Sequence, residues 1–468
     1  MKNNKTILEN ILVTQYAAEG KALARVNGKV IFIEGSVPGD VVDITLTKNK
    51  KDWAEGKVLA IKEYSKQRVS PFCIHFGICG GCKWQMLPYA RQLEYKQQEC
   101  IDAFKRIGKL ADIPILPIIG SDQTIHYRNK LEFTFSNKKY LTEQEFRQLK
   151  DDAWPGGALG YHVPRLYDKV IDIFECWLMN NSNNLIRNAI RGFAGQNNYS
   201  FYDIKAHTGW LRNVIIRETS LGELMINIVF GYDDKIERER LCSFLLDSFP
   251  MITTLLYTIN PKWNDSIYDI ETHVISGKGY VLEKLGDFDF KISAKSFFQT
   301  NTKQAERLYT VAREFAGLTG DEIAYDLYCG TGSIGIFLSK NAKSIIGVDV
   351  IEDAINDAKE NARLNNIYHA TFFCGDVINV CNDDFFMKHG RPDVVIVDPP
   401  RAGLHEKLIK KILDVAPRKI VYVSCNVATQ ARDILLLSEN YHVEKLQPVD
   451  MFPHTHHIEC VAALQLKG

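Results

Sequence analysis

"EIAYDLYCGTGSIGIFL", Glu322 to Leu338, is the stretch on which the fold turns. An apolar run of strand character leads into Gly330-x-Gly332-x-x-Gly335, and a second apolar run, of helix character, leads out. Glycines in that position let backbone N–H groups and a helix N-terminus approach a ligand closely. Working outward, the same rhythm recurs downstream in "SIIGVDV" (344–350), "ATFFCGD" (370–376), "DVVIVDPP" (393–400) and "KIVYVSC" (419–425). Each is a continuous apolar run that stops at a polar or reactive residue. Parallel strands buried on both faces read this way, with ligands held at their carboxyl ends. An α/β, Rossmann-like domain over residues 286–468 is the expectation.

The chain has 468 residues, more than one typical core supports, so two or three domains are expected. No apolar run is long enough to span a bilayer, and "MKNNKTILEN" has no signal-peptide core. A cytoplasmic protein with no membrane partner follows. Eleven cysteines in that compartment suggest metal binding or catalysis before disulfides. Formal net charge is zero, but residues 1–150 hold 24 Lys and Arg against 16 Asp and Glu. That surplus is compatible with a polyanion partner, and equally with a solvated surface. Residues 1–64 read as a small β module, with turn signals at Asn27-Gly28, Gly35, Pro38-Gly39 and Lys48-Asn49. A five-stranded barrel of the OB type suits that spacing. Residues 65–285 carry a cysteine-rich stretch and then alternate strands with helices, which predicts an α+β middle domain.

The strand ends narrow the chemistry. A glycine pattern alone serves NAD and S-adenosylmethionine equally. Gly330 and Gly332 are the candidates for close backbone approach. Asp349, 17 residues after Gly332, ends the next strand, where a carboxylate can accept both ribose hydroxyls. Asp376 ends the one after, where a carboxylate can hold an adenine amino group; a helix N-cap is the plain alternative for both. Asp398 is followed by Pro399, Pro400 and Arg401. Prolines have fixed φ and no N–H, so this loop is stiff. An acid-Pro-Pro loop after the fourth strand fits methyltransferases acting on planar nitrogen or carbon, not dehydrogenases. Upstream, Gln299 in "ISAKSFFQTN" offers an amide for the cofactor's amino-acid end.

Cys425 stands at the carboxyl end of its strand rather than inside it. Methyl transfer to a carbon such as uracil C5 needs activation. A thiolate adding to C6 makes C5 nucleophilic, and a base must later remove the C5 proton. Glu459, in "HTHHIECVAAL", enters a final apolar strand where partial desolvation raises its basicity. Core packing is the plain alternative for the thiol, and is the reading for Cys100, Cys242, Cys329, Cys374, Cys381 and Cys460.

"CIHFGICGGCKWQ" gives Cys73-x5-Cys79-x2-Cys82, three thiols that can share one metal centre. Cys176, in "DIFECWLM", is the candidate fourth ligand. Four thiolates suit zinc and iron–sulfur alike.

"DLYCGTGS", "VDPPRAGL", "VSCN" and "HTHHIECV" together resemble the RNA uracil-5 methyltransferase family, and the N-terminal barrel resembles that family's TRAM domain. The resemblance implies a class I methyltransferase domain using S-adenosylmethionine, with Cys425 as nucleophile and Glu459 as base. It implies cofactor contacts at Gln299, Tyr328, Asp349 and Asp398, and a [4Fe–4S] cluster on Cys73, Cys79, Cys82 and Cys176. Asp349 stands where many members have Glu, and Ser333 where some have Asn. RNA is the implied partner, ribosomal RNA (23S) ahead of transfer RNA, acted on by a monomer. Arg128, Asn129 and Lys130, and stacking on Trp84 or Phe72, are the candidate RNA contacts. A cytosine-C5 methyltransferase and a non-enzymatic RNA-binding iron–sulfur module are the rival readings.

Overall fold

The structure is a computed structural model and describes residues 6–148 and 156–468; residues 1–5, which open the stretch read for a leader, lie outside the described residues. Strands Ile7–Leu12, Gln15–Tyr16, Ala22–Val26, Lys29–Glu34, Val41–Asn49 and Trp53–Glu63 form one curled sheet. The expected five strands become six because the first breaks at Val13–Thr14. Its first half pairs with Val41–Asn49 and its second with Ala22–Val26, so one bent segment joins both ends of the sheet. Ala24, Ile31, Ile33, Val42, Ile44 and Ala54 fill the small core inside.

A seven-stranded sheet occupies the middle of the chain, in the order Thr272–Ser276, Thr254–Ile259, Leu224–Phe230, Leu211–Glu218, Lys130–Ser136, Ala158–Val163, Leu166–Asp172. It is antiparallel apart from one neighbouring pair. Helices Ser182–Gln196 and Lys235–Ser248 join it in one hydrophobic core. A hairpin, Tyr280–Leu285 with Phe288–Ser293, follows. The expected boundary at 285/286 falls in its turn, and both strands feed the core of the last domain through Val281, Leu285, Phe288 and Phe290.

The last sheet also has seven strands: Ile323–Leu327, Ser344–Asp349, Ala370–Cys374, Val394–Val397, Lys419–Ser424, Tyr441–Val449 and Glu459–Leu466. Their spatial order is third, second, first, fourth, fifth, seventh, sixth. The first five are parallel; the seventh is antiparallel and inserts between the fifth and sixth. Val394 to Val397 are all buried, and each such side chain contributes about 1.5–3 kcal/mol. The order reverses between the first and fourth strands, which opens a crevice at their carboxyl ends. Every strand end singled out above faces that side.

Helix Tyr89–Arg106 lies outside this sheet in sequence but packs on it in space. Its Cys100 and Phe104 are fully buried in the same cluster as Tyr422, Ile434 and Leu464.

Candidate active site

The glycine turn folds as its sequence dictates. Gly330 (φ +53°) and Gly332 (φ +74°) both take left-handed backbone that a side chain resists. A Cβ on Gly332 would stand 2.9 Å from Phe372, whereas one on Gly330 would meet nothing within 4 Å. Gly332 is therefore needed for packing, and Gly330 faces open space. Gly332 caps the short helix Ser333–Leu338. Asp349 reaches back to this turn: one carboxylate oxygen accepts from Gly330 N at 3.0 Å, the other from Ile351 N at 2.9 Å. Each oxygen keeps a second lone pair. Val350 and Ile351 beside it are exposed apolar residues. Tyr328 (φ +66°) is half-buried and neighbours Asp349 and Asp376. Asp376 is exposed and caps the turn Val377–Val380 through Ile378 N at 2.7 Å, so the cap reading holds at this residue. Gln299 is half-buried, and its backbone oxygen accepts from the Asn129 amide at 2.9 Å.

Cys425 and Glu459 come together by strand register. Ser424 pairs with Cys460 in the antiparallel ladder of the fifth and seventh strands. Cys425 and Glu459 are the next residues past this last pair of the ladder, and the Glu459 charge acts on the thiol. Burial pushes Glu459 well above the usual carboxylate range, the Asp398 charge adds to this, and Arg401 opposes it. Burial pushes Asp398 up to about 7. The Cys425 thiol is pushed up to about 11, by burial first and then by Glu459 and Asp398, with Arg401 again opposing. Three acidic groups thus crowd one cation. Such a site favours a positively charged ligand, because a cation stabilises all three ionised forms at once.

Cys425 opens into a cleft of about 1410 Å³. Its catalytic wall includes Arg401, His456 and His457, and the Cys-rich loop supplies Lys83. The barrel supplies Lys21 and Lys57 to the same cleft. Glu19 and Glu34 line it beside them, so the barrel's share of this wall is balanced in charge.

The four candidate ligands Cys73, Cys79, Cys82 and Cys176 line a second cavity, of about 340 Å³. Burial pushes Cys79 up to about 11 and Cys82 up to about 12. No group of three or more His, Cys, Asp or Glu among the described residues is gathered closely enough to hold a single metal ion. His75 accepts from Phe174 N at 3.2 Å and so braces the segment bearing Cys176, in keeping with a bystander.

Several expectations need correction. Asn129 does not face solvent: its amide donates to Gln299 O and Thr302 Oγ1, and its N–H to Thr300 O at 2.7 Å, which fixes the Gln299 loop. Trp84 is buried and unavailable for stacking. Cys374 is exposed rather than core. Two residues were not assigned roles from sequence. Arg401 was visible only as part of its motif. Asp326, inside the first strand, accepts from Gly335 N at 2.8 Å and is pushed up to about 7 by burial.

A doubly wound sheet of this strand order, with a glycine turn and a cysteine beside its crevice, has the architecture of the α/β methyltransferases. Residues 270–467 match the family model described as tRNA (uracil-5-)-methyltransferase, and residues 8–59 match that of the TRAM domain. An uncharacterized RNA methyltransferase of Bacteroides thetaiotaomicron is 50% identical over 96% of this chain and 100% of its own length. One from Porphyromonas gingivalis is 48% identical over 97% of this chain and 98% of its own. The solved tRNA (uracil-54, C5)-methyltransferase of Pyrococcus abyssi, in complex with S-adenosyl-L-homocysteine, superposes with a TM-score of 0.74 at 28% identity, over 98% of this chain and 100% of that one. The chain belongs to the S-adenosylmethionine-dependent RNA uracil-5 methyltransferase family. Among the described residues no helix is long and apolar enough to cross a membrane.

Proposed function

We propose that this protein methylates C5 of a uracil in 23S ribosomal RNA, as a monomer, through a covalent bond from Cys425 to uracil C6. The single observation that carries the reading is the ladder pairing Ser424 with Cys460, whose next residues are Cys425, which lines the cleft, and the buried Glu459. In this reading Cys425 attacks C6, and Glu459 later takes the C5 proton so that the thiol can leave. Arg401 stabilises the thiolate and the carboxylate, as its opposing effect on both groups requires. The target uridine must leave its stack to reach the thiol. The barrel (1–64), the cysteine-bearing unit (65–285) and the methyltransferase unit (286–468) form the walls that receive it.

S-adenosylmethionine supplies the methyl group and a positive sulfur. The open face of Gly330, the free lone pairs of Asp349 and the apolar surface of Val350 and Ile351 fit its adenosine end. Tyr328 and Asp376 flank that end, Gln299 holds the amino-acid end, and Asp398 sits nearest the transferred group.

A [4Fe–4S] cluster on Cys73, Cys79, Cys82 and Cys176 is part of the proposal. Their cavity, about 340 Å³, is an order of magnitude larger than the share of one water, about 30 Å³. Thiols raised by burial need a strong cationic centre to ionise. The size of the cavity favours a polynuclear cluster over one zinc ion, while the raised thiols ask only for a cationic centre. No step above needs an electron from it.

Transfer RNA is the second reading, favoured by the Pyrococcus abyssi neighbour, whose substrate is tRNA. The test is to incubate protein, methyl-labelled S-adenosylmethionine and unmodified 23S or transfer RNA transcripts, then map the label. Label at uracil C5 of 23S RNA is expected. Label on cytosine, or on neither RNA, refutes the proposal; label only on transfer RNA moves it to the second reading.

A further inference from the structure

The base at Glu459 is reached by a nine-residue strap, Asp450–Ile458, that joins the sixth strand to the seventh. A helix more than 340 residues upstream holds that strap. Tyr89, Gln92 and Lys96 lie three and four residues apart on helix Tyr89–Arg106, so they share one face. All three bond to the strap. The Tyr89 hydroxyl donates to Asp450 Oδ2 at 2.7 Å. Lys96 Nζ donates to Asp450 Oδ1 at 2.6 Å and to Phe452 O at 3.2 Å, with both charged side chains fully buried. Gln92, also fully buried, accepts from His454 N at 2.9 Å and meets His454 Nδ1 at 3.1 Å. Its amide nitrogen further donates to Trp84 O and Leu87 O, both at 3.0 Å, and so ties the cysteine loop to the same point. The barrel also approaches the strap closely: a Cβ on Gly20 (φ +69°) would stand 2.8 Å from His456 Cβ and 3.3 Å from Trp84 Nε1.

A buried polar stripe is a poor way to gain stability, since apolar residues of the same volume do as well or better. What it does provide is one fixed position. Proton transfer needs that, because donor and acceptor must come within about 2.6–3.2 Å.

We propose that Tyr89, Gln92 and Lys96 are positioning residues for the general base, acting through the strap on the final step of the reaction. This rests on reading Glu459 as the base. In that step the Glu459 carboxylate takes the C5 proton. The C5–H electron pair becomes the C5=C6 double bond, the C6–S bond breaks, and its pair leaves on Cys425 as thiolate. Cys425 follows the fifth strand, outside the strap, so the strap reaches the thiol only through His456 and His457 at the cleft wall and through the Glu459 charge.

The test uses the full-length protein and whichever of the two RNAs accepts label. Gln92→Leu removes the Gln92 contacts to His454 at similar volume, and Tyr89→Phe removes the hydroxyl that donates to Asp450. Covalent protein–RNA adduct is read on a denaturing gel, turnover by C5-tritium release, and S-adenosylhomocysteine affinity by calorimetry. Both variants are expected to lose at least about tenfold in turnover and to accumulate adduct, with adduct formation and S-adenosylhomocysteine affinity unchanged. Glu459→Gln runs beside them. If it builds up no adduct, the assignment of the base fails. If it does and neither strap variant does, the positioning proposal is overturned. Should Gln92→Leu not fold, Tyr89→Phe decides in its place.

Discussion

Replacing Glu459 with Gln should split the reaction into halves that respond in opposite directions. The change keeps the side chain's size and removes its charge. Burial and the neighbouring acids push the Cys425 thiol up to about 11, so near pH 8 it is ionised far less than an ordinary thiol. Part of the suppression comes from Glu459 itself. Two charges roughly 5 Å apart interact by ~3 kcal/mol at an effective dielectric near 20, and screening in the open cleft reduces this, each ~1.4 kcal/mol that survives being about tenfold in ionisation. The sign is definite: removing a neighbouring anion lowers the thiol's pKa and favours attack, wherever Glu459 is ionised. The release step, in contrast, loses its base, which costs about 10²–10⁴-fold. The variant should alkylate faster with iodoacetamide at Cys425 at high pH, form the RNA adduct at least as fast as the parent, and hold it. Mass spectrometry of the alkylated thiol and denaturing gels of the RNA mixture read the two halves. Parental turnover in this variant, or slower thiol alkylation together with no trapped adduct, would refute the reasoning.

Cys425→Ala should abolish both adduct and turnover while S-adenosylhomocysteine still binds by calorimetry, because the thiol follows the fifth strand and the glycine turn follows the first. Asp349→Ala removes the acceptor for Gly330 N and Ile351 N; with hydrogen bonds to charged groups at about 1.5–3 kcal/mol each, cofactor affinity should fall at least about tenfold, with RNA binding unchanged in a gel-shift assay. Lys96→Met strands the buried Asp450 carboxylate and should destabilise by about 3–5 kcal/mol in urea melts, whereas Lys96→Met with Asp450→Asn should recover most of that. Protein prepared without oxygen should be brown with broad visible absorbance, and Cys79→Ser should bleach it; a colourless preparation holding one zinc would reject the cluster.

The catalytic sheet was legible because four of its five parallel strands are buried on both faces and so appear as unbroken apolar runs; the remaining one, Ala370–Cys374, is an edge strand with only Phe372 buried and shows the same run. The Tyr441–Val449 strand was not legible, since its first half is partly exposed and shows no such run. Chemistry nominated Cys425 and Glu459 separately, one for its strand end and one for its apolar flank. That they come together depends on the seventh strand inserting antiparallel between the fifth and sixth, and pairing order is not written in any local pattern. Asn129 was misread for a related reason. A polar residue at a strand entrance looks solvated, and only the Gln299 loop, 170 residues on, shows otherwise. Gln92 and Lys96 likewise resemble the wet face of a helix until the strap arrives.

That arrival is late. Lys96 waits for a partner 354 residues away, and Cys100 ends 4.0 Å from Cys460, 360 residues on. As the chain leaves the ribosome, helix Tyr89–Arg106 has nothing to bury its ammonium against until almost everything else has been synthesised. Contacts of such sequence separation make folding slow and expose intermediates to aggregation. The domain should therefore acquire protease resistance in one concerted event near the end of translation, and not piece by piece.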